Sequence, residues 1–204
     1  MTGRPATAVA NRADGVRVFV GLRIAPEIAA ELAQRVRGLE RAGVRLVAPA
    51  DIHLTMVPPW NEASIPEAIE RLRRVVIKFG GFSLTFQHLG YGPQRSRPRL
   101  LWAECKDSDE IAELRAALLQ AYGHTDERPF RPHVTVARIR GNGRAIAKEH
   151  PIDQDLSLTQ RVDSIELFQS PPPGGCGYQV LASLRLGDMR PPDRPRPQVQ
   201  PTPE

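Results

Sequence analysis

The sequence contains no long hydrophobic run. No segment has the roughly 18 consecutive apolar residues that a membrane-spanning helix needs. Residues 1–15 mix Arg, Ala, Thr and Asp and lack the apolar core of a signal peptide. From these absences we expect a cytoplasmic protein with no membrane partner.

Cysteine is also scarce, and no nucleotide-binding loop is present. The two cysteines, Cys105 and Cys176, do not form a CxxC pair, so a structural zinc site is not expected and both thiols should be reduced. No glycine-rich phosphate loop of the GxxxxGKS or GxGxxG type occurs. We therefore expect a protein without a cofactor.

The composition indicates a small folded protein with a basic excess. Its 204 residues suit one domain or two small lobes, and 41% of them are hydrophobic. The net charge of +5 favours anionic partners such as nucleic acid. Because the basic residues are dispersed, a few phosphate contacts are more plausible than a long duplex-binding face.

The two ends differ from the middle of the chain. Residues 1–15 have no periodicity, and residues 188–204 contain six prolines and few apolar side chains. Such segments cannot bury enough apolar surface to fold, so both ends are predicted to be disordered. Residues 16–187 are predicted to form a single domain.

Strands and helices alternate within residues 16–187, which favours an α+β fold. Three helices are predicted: one opened by Pro26 and ended by Gly43, one begun by a capping box of Ser64 and Glu67, and one ended by Gly123. Strands are predicted at 16–22, 44–47, 51–57, 82–89, 100–105, 132–139, 162–168 and 178–186. Residues 140–155 are predicted to be a polar insertion.

One four-residue pattern occurs twice. His53-Leu54-Thr55-Met56 matches His133-Val134-Thr135-Val136, and each copy falls in a predicted strand. Because side chains alternate along a strand, each copy presents an imidazole and a hydroxyl on one face and two apolar groups on the other.

If the two strands are neighbours, one cleft holds both imidazoles and both hydroxyls. Two histidines can act as a general base and a general acid, since imidazole titrates near neutrality, and threonine hydroxyls can donate to phosphate oxygens. This set could cleave a phosphodiester without a metal. Two alternatives remain open from the residues alone: a structural role for both histidines, or a metal site with Asp51 as the nearest carboxylate.

The other ionisable groups near the pattern are less informative. His88, His124 and His150 have no such pattern, and we interpret them as surface or structural residues. Arg131, two residues before His133, should share its face and could bind phosphate. Arg138, five residues after His133, should face the other way unless the strand twists or bulges.

The two copies, HLTM and HVTV, resemble the paired HxTx signatures of the two-histidine (2H) phosphoesterases. The sequence around them resembles that of the RNA 2′,3′-cyclic phosphodiesterase family, historically called 2′-5′ RNA ligase. The similar segments, which together span residues 16–187, are RVFVGL, RPRLLW, RPFRPHVTVAR and ELFQSPPPGGCGYQVLASLRL.

The resemblance implies a bilobal catalytic domain, in which two antiparallel-type sheets flank a central cleft with helices outside. It implies metal-independent hydrolysis of RNA or nucleotide 2′,3′-cyclic phosphates to 2′-phosphomonoesters, by a protein that we expect to be a monomer. In the family pattern His53 is the proton donor and His133 the proton acceptor. The residues that bind substrate are then Thr55, Thr135, Arg138 and Arg131.

One departure from the family concerns base recognition. Where the family often has Phe-Leu-Gly after the first motif, this chain has Val57-Pro58-Pro59-Trp60. Trp60 or Phe19 is therefore predicted to stack on the base instead. Three alternatives to hydrolysis of RNA ends are 2′-5′ ligation, opening of an ADP-ribose cyclic phosphate, and RNA-end binding without catalysis.

Overall fold

The structure is a computed structural model that describes residues 15–126, 129–172 and 177–187, without the side chains of 41 and 42. Apart from Gly15, the two ends predicted to be disordered lie outside the described residues, and so does Cys176. The predicted boundaries of the domain, 16–187, stay a prediction.

Nine strands and four α-helices make up the described part of the chain. The strands are β1 (Val16–Arg23), β2 (Val44–Leu46), β3 (His53–Glu62), β4 (Phe82–Gly92), β5 (Leu100–Cys105), β6 (His133–Ile139), β7 (Asp153–Val162), β8 (Ser164–Gln169) and β9 (Gln179–Arg185). The helices are α1 (Pro26–Val36), α2 (Ile65–Val76), α3 (Asp109–Ala121) and α4 (Gly143–Glu149). The α+β class is confirmed.

The strands form two antiparallel halves that meet at the repeated pattern. One half has the order β3-β1-β8-β9 and the other the order β7-β4-β5-β6, with β2 beside the end of β6. The halves are joined through one backbone pairing, Leu54 of β3 with Val134 of β6. The two predicted sheets therefore touch at the central residue pair of the two HxTx copies.

The helices cross between the halves and pack on a continuous core. Helix α1 begins with Pro26 in its first turn and buries Ile28, Leu32 and Val36, and it packs against β6 of the other half. Helix α3 packs against β3 of the first half. Gly43, with φ of +73°, ends the 3₁₀ segment after α1 in a left-handed conformation that favours glycine.

The segment predicted to be a polar insertion, 140–155, is instead structured. It contains α4, whose first turn is capped by Asn142 accepting a hydrogen bond from the amide of Ala145 at 3.2 Å. It also contains the start of β7, which pairs only with β4 among the described strands. In an edge strand with one apolar face, a few apolar residues alternate with many polar ones, so its sequence resembles a loop.

The start of α2 was placed correctly, but its predicted capping box is wrong. Ser64 is the N-cap residue, yet its side chain makes no capping hydrogen bond. The Ser64 amide donates instead to the carboxylate of Glu62 at 3.1 Å. Glu62 is buried and already accepts from Arg71 at 2.8 Å, so it supplies the negative charge that the capping box would have provided.

Strand β3 is longer than predicted and runs through Pro58 and Pro59. Beyond Leu54 its second edge has no backbone partner in the described chain, so the missing proline N–H groups break no ladder. No helix in the described ranges is both long and apolar enough to cross a membrane.

Candidate active site

The two HxTx strands place four polar side chains in one cavity of about 330 Å³ at the junction of the two halves. Two arginines join them in its lining. The six residues are His53, Thr55, His133, Thr135, Arg45 and Arg138. The juxtaposition predicted from the repeat is therefore present.

The register explains the arrangement. Leu54 pairs with Val134 in antiparallel orientation, and continuing this register by one residue places His53 across from Thr135 and Thr55 across from His133. Each histidine thus lies across from a threonine of the other half, and the two histidines are diagonal neighbours, positions that are typically about 7–8 Å apart in an antiparallel pair. Neither hydroxyl has a hydrogen-bond partner within the described residues, so both can donate to a ligand.

Both imidazoles are oriented by the same backbone contact. Nδ1 of His53 lies 2.7 Å from the carbonyl oxygen of Asp51, and Nδ1 of His133 lies 2.7 Å from that of Arg131. A carbonyl only accepts, so in each ring Nδ1 carries the hydrogen. Each Nε2 is left to accept a proton when the ring is neutral or to donate one when it is charged.

His53 lies against a cluster of aromatic rings. The Phe19 ring is 4.7 Å away, and the edge of Tyr178 is 4.9 Å away. Burial among these rings, with the positive charge of Arg138, lowers the pKa of His53 below its usual value, although the Asp51 carbonyl opposes this. The amide of Tyr178 donates to the Asp51 carboxylate at 3.0 Å and so fixes the ring that covers His53.

His133 is held by a different set of neighbours. The indole of Trp102 lies 4.4 Å from its ring, and Glu104 is its cross-strand partner on β5. Burial lowers the pKa of His133, while the hydrogen bond to the Arg131 carbonyl and the charge of Glu104 oppose that shift. The charge of Arg131 lowers the pKa of His133 as well, so each imidazole has one arginine and one carboxylate near it: Arg131 and Glu104 for His133, Arg138 and Asp51 for His53.

A β-bulge brings Arg138 into the cavity. On β6, Thr135 pairs with Trp102 and Ala137 pairs with Leu101, so Val136 is an extra residue. This extra residue reverses the alternation, and Arg138 joins the His133 side of the strand. Arg45 of β2 is the backbone partner of Arg138 and was not predicted, since only the β2–β6 pairing identifies it.

Arg131 is placed differently from Arg138. It shares the His133 side of the strand, as alternation predicted, but its guanidinium is 2.8 Å from the Glu104 carboxylate and 5.2 Å from the Trp102 ring centre. It lines a neighbouring cavity and not the one that holds both histidines. Its role as a substrate-binding residue stays a prediction.

The structure does not support either aromatic that was predicted to stack on a base. Phe19 is 2% exposed and stacks on Phe168 behind His53, and Trp60 packs against Tyr122 on another face. Neither lines the cavity of the histidines. The aromatic group in that lining is Tyr178, which the sequence pattern did not identify because it lies far along the chain.

A second cavity, of about 410 Å³, adjoins the first and is mainly apolar. The two share Thr55 and His133, and Pro58, Trp102 and Phe130 contribute apolar walls to the second. Pro58 is the fifth residue after His53, as Arg138 is the fifth after His133. The same position of the repeat is therefore apolar on one side of the histidine pair and cationic on the other.

The remaining histidines do not line the cavity. His88 pairs with Asp153 at 3.0 Å, and His124 packs against Trp60. His150 accepts a hydrogen bond from Tyr91 only through its backbone carbonyl. Within the described residues no group of three or more His, Cys, Asp or Glu side chains is arranged to hold a metal ion.

Comparison with known proteins agrees with this fold. A family model described as the 2′-5′ RNA ligase superfamily matches residues 24–171, which include both HxTx copies. The chain belongs to this superfamily.

Curated relatives have a common name. An RNA 2′,3′-cyclic phosphodiesterase of Thermotoga maritima is 27% identical over 132 residues, covering 61% of this chain and 71% of the relative. A protein of the same name from Aeropyrum pernix is 32% identical over 136 residues, covering 62% and 77%.

Solved structures share the fold. Escherichia coli LigT complexed with 3′-AMP aligns with a TM-score of 0.67 and 22% identity, covering 85% of this chain and 99% of LigT. TT0787 of Thermus thermophilus aligns with a TM-score of 0.68 and 21% identity, covering 85% and 100%. At these identities the likeness establishes the fold alone.

Proposed function

We propose that this protein hydrolyses RNA or nucleotide 2′,3′-cyclic phosphate ends to 2′-phosphomonoesters, with His53 as the proton donor and His133 as the proton acceptor. The observation that carries the proposal is the paired geometry of the two imidazoles, each with Nδ1 bound to a carbonyl and each facing a hydroxyl. The names of the curated relatives support the same reaction.

The proposed reaction is a single displacement at phosphorus. Nε2 of His133 takes a proton from water as the water oxygen bonds to phosphorus, and the bond from phosphorus to the 3′-oxygen breaks. Nε2–H of His53 gives its proton to that oxygen. The products are a 2′-phosphomonoester and a free 3′-hydroxyl, and the two histidines exchange protonation states.

The rest of the cavity suits the charge of this reaction. Thr55 and Thr135 can donate to the non-bridging oxygens, and the guanidinium of Arg138 can offset the negative charge that builds up on them. Because each imidazole is an acid or base by itself, the mechanism requires no metal. A bound anionic phosphate also favours the imidazolium form that burial disfavours.

The test is to incubate the purified protein with 2′,3′-cyclic AMP and with a cyclic-ended oligoribonucleotide in excess EDTA, and to identify products by ³¹P NMR. We expect the 2′-phosphomonoester alone. His53→Ala and His133→Ala should each lower kcat by about 10²- to 10⁴-fold. His150→Ala is the matched control, since this exposed imidazole lies outside the cavity.

Each outcome of this assay tests a different part of the proposal. Absence of turnover at every pH would remove the enzymatic function, and turnover abolished by EDTA would contradict the metal-free mechanism. A 3′-phosphomonoester product would mean that the 2′-oxygen is the leaving group. Joining of a 5′-hydroxyl oligonucleotide in the same assay would show 2′-5′ ligation, with the alcohol replacing water.

A further inference from the structure

A cavity of about 650 Å³ lies beyond the two already described, between the segment that joins β4 to β5 and the start of α4. Arginine dominates its polar lining, through Arg97, Arg99 and Arg144. All three side chains are exposed, and the lining contains no acidic residue. Within the described residues none of the three forms an ion pair, so their charge is not neutralised by the protein.

This arginine cavity is connected to the candidate active site. It shares Pro93 with the apolar cavity, which in turn shares Thr55 and His133 with the cavity of the histidines. A second connection runs along the sheet, where the carbonyl of Arg99 accepts from the amide of Ile139 at 2.9 Å, next to Arg138. The three cavities are therefore neighbours, and we call this row, which is cationic, then apolar, then cationic, the groove.

The walls of the arginine cavity are fixed by backbone contacts. The amide of Arg99 donates to the Gly92 carbonyl at 2.9 Å, and that of Arg97 donates to the Gln94 carbonyl at 3.1 Å. A Cβ on Gly143 would overlap the carbonyl of Pro98, so this glycine allows α4 to approach the arginine-bearing segment. The three arginine side chains therefore extend from backbone segments whose positions are fixed by hydrogen bonds and close packing.

The alternation of charge along this groove matches a single nucleic acid strand, in which apolar bases alternate with anionic phosphates. With the cyclic phosphate at the histidines and the terminal base over Pro58 and Phe130, the next phosphates would lie toward Pro93 and the arginines. We propose that Arg97, Arg99 and Arg144 bind the backbone phosphates of a single-stranded RNA upstream of its cyclic end.

This inference rests on the proposed function and makes it more specific, because it assigns an oligonucleotide, rather than a mononucleotide, as the preferred substrate. A second basic groove provides a comparison. Arg71, Arg74 and Lys78 lie between α2 and α3, and the lining of their groove shares no residue with the three connected cavities. In this groove Arg71 pairs with buried Glu62, whereas the exposed Arg74 and Lys78 form no ion pair within the described residues.

The experiment compares a triple variant, R97Q/R99Q/R144Q, with a charge-matched control, R37Q/R74Q/K78Q, whose three side chains are exposed and lie outside the three cavities. The values of kcat/KM are measured for 2′,3′-cyclic AMP and for a cyclic-ended hexaribonucleotide over a range of salt concentrations. Binding of a fluorescent hexaribonucleotide with a 2′-phosphate end is measured in parallel by anisotropy, which requires no turnover. Circular dichroism melts verify that both variants fold, and the single variant Arg99→Gln replaces the triple one if it does not.

We expect the wild type and the control to prefer the hexamer. The triple variant should lose that preference, bind the hexamer more weakly and keep its kcat/KM for the mononucleotide. The dependence of log K on log salt should fall by about 0.7 for each arginine that contacts a phosphate. Equal hexamer binding by the triple variant and the control would overturn the inference. Loss of all turnover with this binding difference intact would instead overturn only the hydrolytic function.

Discussion

At the scale of single residues, the two histidines are oriented by the same contact. The carbonyl two residues before each ring accepts from Nδ1, which points Nε2 into the cavity and fixes the neutral tautomer. Their packing then differs, since the rings of Phe19 and Tyr178 lie against His53, whereas the Trp102 indole lies against His133. Identical motifs can therefore take different roles.

The carboxylate of Glu104 gives a prediction about His133. Because this negative charge favours the imidazolium form, Glu104→Gln should lower the pKa of His133 further below its usual value. Titration of the His133 Cε1 proton by NMR measures this shift directly. Glu67→Gln, on the exposed first turn of α2, should leave it unchanged, and an unchanged pKa in Glu104→Gln would contradict the assignment.

The lowered pKa values also predict the pH dependence of catalysis. The proposed reaction needs one neutral and one charged imidazole, so kcat/KM should be bell-shaped in pH. Because burial lowers the pKa of both histidines in the free protein, we expect the maximum below about pH 6.5, the ordinary value for histidine. A maximum above that value, measured with 2′,3′-cyclic AMP, would show that the free-enzyme pKa values are not both lowered.

At the scale of elements, β3 and β6 each contain a β-bulge at the same distance after their histidine. The pairing of β3 with β1 skips Met56, and that of β6 with β5 skips Val136. Each is the third residue after its histidine, so the repeat in sequence is also a repeat in backbone geometry. After each bulge the alternation reverses, and this places Pro58 and Arg138 at the two sides of the histidine pair.

The contact between β4 and β5 gives a prediction about how Trp102 holds the His133 ring in place. A Cβ on Gly92 would overlap the Trp102 indole, and that indole packs against His133. Gly92→Ala should therefore destabilise the fold by about 1–3 kcal/mol and lower kcat through displacement of the ring. Urea unfolding and steady-state rates measure the two effects.

Gly38→Ala is the control for that substitution, because a Cβ on Gly38 would meet nothing within 4 Å. It should leave activity unaffected and raise the free energy of unfolding by about 0.4–1 kcal/mol, because alanine restricts the unfolded chain. Wild-type stability and activity in Gly92→Ala would mean that Trp102 can move without disturbing His133.

At the scale of the whole molecule, the site is a junction. The two halves of the sheet are joined through the Leu54–Val134 pairing, and the helices of each half pack partly on the other. The cavity of the histidines therefore exists only when the two halves are assembled. Burial disfavours the charged forms of both imidazoles, and this free-energy cost is offset by the packing around them.

That cost predicts how global stability depends on pH. Each folded-state pKa lies below the value near 6.5 of the unfolded chain, so between the two the unfolded chain binds more protons. The free energy of unfolding should then fall as the pH drops through about 6.5, and level off below the folded pKa values. Urea titrations at a series of pH values should show a weaker fall in H53Q/H133Q. The control His150→Gln should behave like the wild type.

Much of the site could be predicted from the sequence because the pattern is local. Two His-x-Thr copies in predicted strands were enough to place each imidazole beside a hydroxyl, and alternation alone put Arg131 on the His133 side. The start of the helix at Pro26 was also readable, since its apolar spacing lies within a few turns, but its predicted end at Gly43 is wrong: α1 ends at Val36, and Gly43 ends the 3₁₀ segment that follows. The segment 140–155 was misread because a short capped helix and an edge strand carry few buried residues.

The sequence by itself determined the local chemistry: which residues could accept or donate protons, and which strands would present them. Only the tertiary structure decided their partners. The β3–β6 register brought the two halves of the pattern together, the bulge at Val136 turned Arg138 into the cavity, and Glu104 bound Arg131. These contacts join residues far apart in the chain, and their energies depend on packing that no local window of sequence contains.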